Sequence, residues 1–284
     1  MDARAWLARY RVVKPAAFDY IRVDSGDEAV ALLAEYGDEA RILAGGQSLM
    51  PMLNMRVAQP SVLLDISRAR DLATAGVDNG ALAIRAAVTQ AVVERRPRLM
   101  DEVPLLKQAL PYLGHFQTRN RGTVCGSIAH ADPSAELPLC LAVLGGEIVL
   151  RSRSGTRTVR AEQFFLGVMA TARQPTEIVE EVRFPLATGG ERYGFAEVAM
   201  RHGDFAVVGL AVIVSETEIR IGVAGVADRP WVQRWPRITG EELDVAFNQL
   251  AWDLTARDDQ HASGAYRRHQ VRTLGRRLVE ELQH

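Results

Sequence analysis

The sequence predicts an α+β protein of two domains, and three observations carry that prediction. A strand, helix, strand alternation opens the chain between Phe18 and Asp65. Two runs rich in Val, Ile and Ala, Phe205 to Val214 and Ile219 to Val226, stand on either side of a short polar segment, and the chain closes in a helical pattern. With 284 residues and 48% hydrophobic content, two modest cores can be filled, which excludes a disordered chain.

In the opening segment, Ser25 or Asp27 can cap a helix whose apolar face is Val30, Leu32, Leu33 and Tyr36, and Gly37 is placed to end it. The run Ile42-Leu43-Ala44 reads as a buried strand stopped by Gly45-Gly46, and Val62 to Ile66 as the next strand. A strand from Leu82 to Val88 follows, then helices over Gln90 to Leu99 and Leu105 to Tyr112. Gln117 to Gly126, rich in Arg, Asn and Gly, reads as a loop, followed by a buried helix from Ser134 to Leu144 and a strand Ile148-Val149-Leu150. Glu177-Ile178-Val179 precedes a change of texture, with Gly189-Gly190 as hinge or tight loop. The two Val-rich runs predict an antiparallel hairpin with Ser215 to Glu218 as its four-residue loop, and helices close the chain over Glu241 to Trp252 and Ala265 to Leu282.

Composition narrows the function. The 34 Lys and Arg nearly cancel the 35 Asp and Glu, so overall charge points to neither nucleic acid nor an anionic membrane. No apolar run reaches the roughly 18 residues of a membrane span, and Met1 to Trp6 lacks a secretion signal, which predicts a cytoplasmic protein. Two cysteines, Cys125 and Cys140, cannot hold an iron–sulfur cluster by themselves, so any such chemistry belongs to another chain.

Two glycine-centred segments carry the chemical signal. In Ile42-Leu43-Ala44-Gly45-Gly46-Gln47-Ser48-Leu49 a buried strand runs into paired glycines and small donors, a pattern that suits a pyrophosphate. In Arg121-Gly122-Thr123-Val124-Cys125-Gly126-Ser127 the hydroxyls of Thr123 and Ser127 can bond phosphate or ribose oxygens. Neither is a G-x-G-x-x-G or a P-loop signature, and each glycine pair by itself also reads as a structural turn.

The segment Ala44 to Pro51, then Thr118 to Glu136, then Arg201-His202-Gly203-Asp204-Phe205-Ala206 resemble, in that order, the FAD-binding medium subunits of molybdenum hydroxylases. That group includes carbon monoxide dehydrogenase and the bacterial nicotine, caffeine and isoquinoline-type dehydrogenases. The resemblance implies an FAD-binding domain of the vanillyl-alcohol-oxidase type over residues 1–180, in lobes of about 1–65 and 66–180, and a C-terminal domain over 181–284 with an antiparallel sheet and helices. It implies non-covalent FAD, with Ile42, Leu43, Ala44, Gly45, Gly46, Gln47, Ser48 and Leu49 around the pyrophosphate. Thr123, Val124, Gly126 and Ser127 would contact the flavin and the rest of the diphosphate, Glu136 the adenosine part, and Leu113, Val179 and Phe195 the adenine or the ring system.

The same resemblance implies a heterotrimer. A large subunit would carry the molybdenum cofactor, a small subunit two [2Fe–2S] clusters, and the assembly would be a dimer of heterotrimers in which this chain passes electrons outward. A self-contained FAD-dependent oxidoreductase and a scaffold that has lost FAD are the competing readings. The scaffold reading rests on Cys125, which stands where the family has a second glycine, as a reactive thiol near the flavin or a packed neutral one; on the departure alone, Cys125→Gly should retain or tighten FAD. His130 and Asp132 read as an acid–base pair or as residues shaping the pocket. Arginines 267, 268, 272, 276 and 277 read as a solvated helix face or a subunit contact.

Overall fold

A computed structural model describes residues 15–284; Met1 to Trp6 lie outside them. The first lobe comprises β1 (Asp19–Arg22), α1 (Gly26–Tyr36), β2 (Ala40–Leu43), α2 (Leu49–Asn54) and β3 (Val62–Asp65). Its three strands form a parallel sheet in the order β1, β3, β2. Helix α1 begins where Ser25 Oγ accepts the Glu28 N–H at 3.2 Å, and it ends at Gly37 with φ +53°. Ala29, Val30 and Leu33 turn its buried face to the sheet. All three strands point their carboxyl ends the same way, so β2 delivers Ala44-Gly45-Gly46 to the edge where ligands of such sheets bind.

The second lobe is built around an antiparallel sheet. β4 (Ala75–Asp78) and β5 (Ala81–Arg85) lead into five short helices, α3 (Gln90–Glu94), α4 (Leu99–Glu102), α5 (Pro104–Ala109), α6 (Phe116–Arg121) and α7 (Val124–His130). The buried α8 (Glu136–Leu144) follows, then β6 (Glu147–Ser152), β7 (Gly155–Arg160), α9 (Ala161–Phe164), the small hairpin β8 (Phe165–Gly167) and β9 (Ala170–Thr171), and β10 (Ile178–Pro185). The sheet order is β4, β5, β10, β6, β7, so β10 lies at its centre through Pro185.

The last unit pairs β11 (Arg192–Ala199), β12 (Ala206–Val214), β13 (Glu218–Ala224) and β14 (Trp231–Pro236) in sequence order, with α10 (Gly240–Asp253) and α11 (Gly264–Gln283) packed against them. Every residue of β12 is buried. Leu210, Val212 and Val214 face the core shared with α10 and α11, while Ala211 and Ile213 join the core shared with the other domain. Burial on both faces explains its unbroken apolar run. Helix α8 lies so close to this sheet that a β-carbon on Gly222 would stand 2.8 Å from Leu139 Cδ1.

Several local expectations change. The helix expected from Gln90 to Leu99 is interrupted after Glu94 and resumes at Leu99, on either side of Pro97, which has no N–H to give. The strand expected to reach Val88 leaves the sheet at Arg85; the Val88 carbonyl accepts the Val124 N–H at 3.3 Å and Thr89 bridges to Thr123. The loop expected from Gln117 to Gly126 is two helices, α6 and α7, joined at Gly122-Thr123. Arg119 gives it shape by donating to Glu94 Oε2 at 2.9 Å and to the carbonyls of Leu113 and Gly114. Thr123 Oγ1 accepts the Gly126 N–H at 3.0 Å and starts the second helix. The expected four-residue hairpin turn is tighter, since Glu218 already belongs to β13 and its carbonyl accepts the Ser215 N–H at 2.9 Å.

Arg267 corrects the solvated-face reading of α11. It is 5% exposed and donates to the carbonyls of Val207 and Gly225 and, at 2.5 Å, to Asp259 Oδ2. The exposed Arg277, which pairs with Glu281 at 3.6 Å, fits that reading.

Candidate functional site

A cavity of about 610 Å³ opens among the strand ends of the first lobe, the N-terminal ends of α7 and α8 and the loop before β12. Its size is that of a pocket for a large organic ligand. Thirteen of the sixteen residues expected to contact a cofactor line it: Ile42, Ala44, Gly45, Gly46, Gln47, Ser48, Leu49, Leu113, Thr123, Gly126, Ser127, Glu136 and Val179. Leu43, Val124 and Phe195 stand behind the wall. Leu43 is half-buried beside Gly46, Val124 is buried in the core, and Phe195 packs at a tilt against Tyr112 with ring centroids 5.3 Å apart.

The two glycine segments meet here. A β-carbon on Gly45 would stand 2.6 Å from the Cα of Gly122 and closer still to the Arg121 carbonyl oxygen, so the two loops can touch only because Gly45 lacks a side chain. Gly46 has φ +70°, which turns the backbone of the first loop. Among the described residues the amides of Gly46, Gln47 and Ser48 have no protein acceptor, which leaves a row of backbone donors along the cavity wall. These donors and the glycine approach fit a pyrophosphate.

Acidic groups gather at one end. Glu136 is 5% exposed, and burial, with Glu197 and Asp132 adding repulsion, pushes its carboxyl up to about 8. Burial also raises Glu197 to about 7, and its Oε2 has no hydrogen-bond partner. At neutral pH Glu136 is therefore largely protonated and can donate a hydrogen bond. His130 and Asp132 both line the cavity, but among the described residues no hydrogen bond joins them; Asp132 Oδ1 accepts the Ser134 N–H at 2.8 Å and shapes the turn into α8. At the rim, Met169 and Phe205 are 49% and 60% exposed.

Arg173, Gln90 and the Gly203 to Phe205 loop were not assigned to the site from sequence, yet all line it. The Arg201 to Ala206 motif was the available signal for the last. Nothing in the spacing marks the other two: Arg173 is fixed by bonds from Nη1 to the carbonyls of Gln174, Pro175 and Glu177.

Cys125 borders the cavity but as a packed thiol, not as a reactive group. It is fully buried in α7, donates to the Ile84 carbonyl on β5 at 3.3 Å, and burial pushes its thiol up, away from thiolate character.

Residues 16–187 match the family described as the FAD binding domain in molybdopterin dehydrogenase. The chain is 38% identical over 216 residues to the caffeine dehydrogenase subunit beta of Pseudomonas sp. strain CBB1, covering 76% of this chain and 73% of that one. It is 32% identical to the nicotine 6-hydroxylase medium subunit of Paenarthrobacter nicotinovorans, covering 95% of this chain and 98% of that one. Among solved structures, carbon monoxide dehydrogenase from Hydrogenophaga pseudoflava superimposes with a TM-score of 0.89 at 29% identity over 95% of this chain and 98% of that one. Quinoline 2-oxidoreductase from Pseudomonas putida 86 superimposes with a TM-score of 0.88 at 31% identity, with the same coverage.

The fold and the doubled glycine cradle define an FAD-binding oxidoreductase subunit. The chain belongs to the family of FAD-binding medium subunits of the molybdenum hydroxylases.

Proposed function

We propose that this chain is the electron-output subunit of a three-part molybdenum hydroxylase. It takes electrons from [2Fe–2S] clusters of a small subunit, after a large molybdenum-cofactor subunit has oxidised substrate, and hands them to an external acceptor. The observation that carries this reading is the contact of Gly45 with Gly122 on a wall lined with free amides. That arrangement suits a dinucleotide. FAD when bound supplies the conversion between one-electron and two-electron transfer.

The protein's own part is to hold and insulate that group. The amides of Gly46, Gln47 and Ser48 and the hydroxyls of Thr123 and Ser127 would take the diphosphate and sugar oxygens. Leu113 and Val179 would give apolar walls, and protonated Glu136 would offer a proton to a cofactor acceptor atom. The exposed rim side chains Met169 and Phe205 suit coverage by a partner subunit. The FAD-binding unit would include all of β10, with the second domain beginning at β11. No helix among the described residues is long and apolar enough to cross a membrane. Assembly as a dimer of heterotrimers in the cytoplasm is part of the same proposal.

The test is co-purification from the native host. Flavin bands with iron–sulfur absorbance in a particle well above 31.2 kDa are expected. A colourless monomer that stays colourless after incubation with FAD would overturn the reading.

A further inference from the structure

Arg173 is a half-buried cation that makes no ion pair among the described residues. Its Nη1 is spent on the carbonyls of Gln174, Pro175 and Glu177, at 2.8 to 3.2 Å. The neighbouring carboxylate of Glu177 is taken by Arg157 at 2.6 and 2.8 Å. Nε and Nη2 of Arg173 have no hydrogen-bond partner among the described residues, and neither is sealed from solvent. Both donors therefore stay open to a ligand, on a residue that lines the cavity. Arg41 repeats the arrangement: its Nη1 donates to the carbonyls of Asp38 and Ala40 at 3.0 and 2.9 Å, and its other nitrogens have no partner among the described residues. Burial and the nearby Arg41 charge lower the pKa of Arg173, which places both guanidinium groups on one stretch of cavity wall, beside Ile42, Ile178 and Val179.

Arg41 stands four residues before Gly45 on an extended strand, roughly 13 Å back from the glycine loop. Its side chain is tied to Asp38 and Ala40, away from the diphosphate wall, and a nucleoside joined to that diphosphate spans the gap. The two ends of the dinucleotide make different demands here. A flavin ring carries an N–H between two carbonyls and needs an acceptor in the wall, whereas Arg41 and Arg173 offer donors only, and the three carbonyls beside Arg173 are already bonded. Adenine presents ring nitrogens as acceptors and a π face, both of which suit a guanidinium. The exposed rim at Met169 and Phe205, open to a partner, suits the flavin. We infer that Arg173, with Arg41 beside it, binds the adenine base of the dinucleotide through its free Nε and Nη2, and so selects FAD over a flavin mononucleotide. This rests on the FAD reading above.

The test is calorimetric titration of the full chain, stripped of flavin, with FAD, ADP and inorganic pyrophosphate. Arg173→Leu should weaken FAD and ADP each about tenfold and leave pyrophosphate within about twofold of the unaltered protein. A loss for FAD without one for ADP would set Arg173 against the flavin half, and an equal loss for all three would set it against the diphosphate. No loss at all would leave Arg173 as a brace for its own loop; each of these results overturns the inference. If Arg173→Leu does not fold, Arg173→Lys, which keeps the charge and loses the planar fork, takes its place with the same expected pattern. Failure of the unaltered protein to bind either FAD or ADP would instead sink the functional reading itself.

Discussion

Gly45 and Gly122, 77 residues apart, touch backbone to backbone: the Cα of Gly122 lies 2.6 Å from the point a β-carbon on Gly45 would occupy. The contact locks the end of the parallel sheet to the joint between α6 and α7. Gly45→Ala should therefore push the loops apart and weaken FAD binding by roughly 30-fold, from an overpacking cost of about 2 kcal/mol. Fluorescence titration checks it, and an unchanged affinity would mean that the loops separate freely.

Gly46 fails for a different reason when substituted. With φ at +70° the backbone sits where a β-branched residue is strongly disfavoured, and a β-carbon there would also meet Leu43 Cδ1 at 3.1 Å. Gly46→Val should abolish FAD binding, while Gly46→Ala should retain it with a loss of roughly 1–2 kcal/mol. Stoichiometric flavin in purified Gly46→Val would count against this loop as the pyrophosphate wall.

Most of the fold was legible in the sequence because its signals are local. Ser25 and Gly37 bracket α1 by capping chemistry, and the Val-rich runs become β12 and β13. What local pattern missed is held by distant partners. The polar stretch from Gln117 to Gly126 reads as loop until Arg119 reaches Glu94 and the carbonyls of Leu113 and Gly114. Gln90 looks like any helix-start residue until Gly122 is placed against it. Glycine loops can be found by composition, whereas the side chains that fill the space beside them depend on register between segments.

Arg267 illustrates the same limit and yields a stability prediction. Its guanidinium ties α11 to the carbonyls of Val207 and Gly225 and to Asp259, out of solvent. Arg267→Leu should cost roughly 1–3 kcal/mol, because the carbonyls of Val207 and Gly225 lose their donor while Asp259, half exposed, is taken up by water. Arg277→Ala, on the exposed side of the same helix, should stay within about 0.5 kcal/mol. Urea denaturation of both variants separates them; equal, small effects would restore the view that all these arginines form one solvated face.

Cys125→Gly, expected from the family pattern to hold or improve FAD binding, acquires a cost from the structure. The thiol fills core space beneath β5, so removing it leaves a small void and puts glycine inside α7, together roughly 1–2 kcal/mol. Stability should fall by that amount with FAD affinity within about twofold of the unaltered protein. Cys125 should also resist alkylation in the folded state, and rapid labelling by a thiol reagent would contradict its burial.

Glu136 gives the stability a pH dependence whose sign follows from its raised pKa. The folded protein holds this proton until about pH 8, whereas the unfolded chain releases it near 4.5. Between those values unfolding releases a proton, so rising pH favours the unfolded state; the cost is absent below about 4.5 and complete above about 8. Glu136→Gln removes the ionisation but keeps the shape. The flavin-free variant should match the unaltered protein near pH 4.5 and have the higher Tm above pH 8. Glu197, raised to about 7 by burial, should leave a residual slope in the variant, and Glu136→Gln/Glu197→Gln should flatten it further. Parallel Tm profiles for the variant and the unaltered protein would show that Glu136 is ionised at neutral pH, and would remove it as a hydrogen-bond donor to the cofactor.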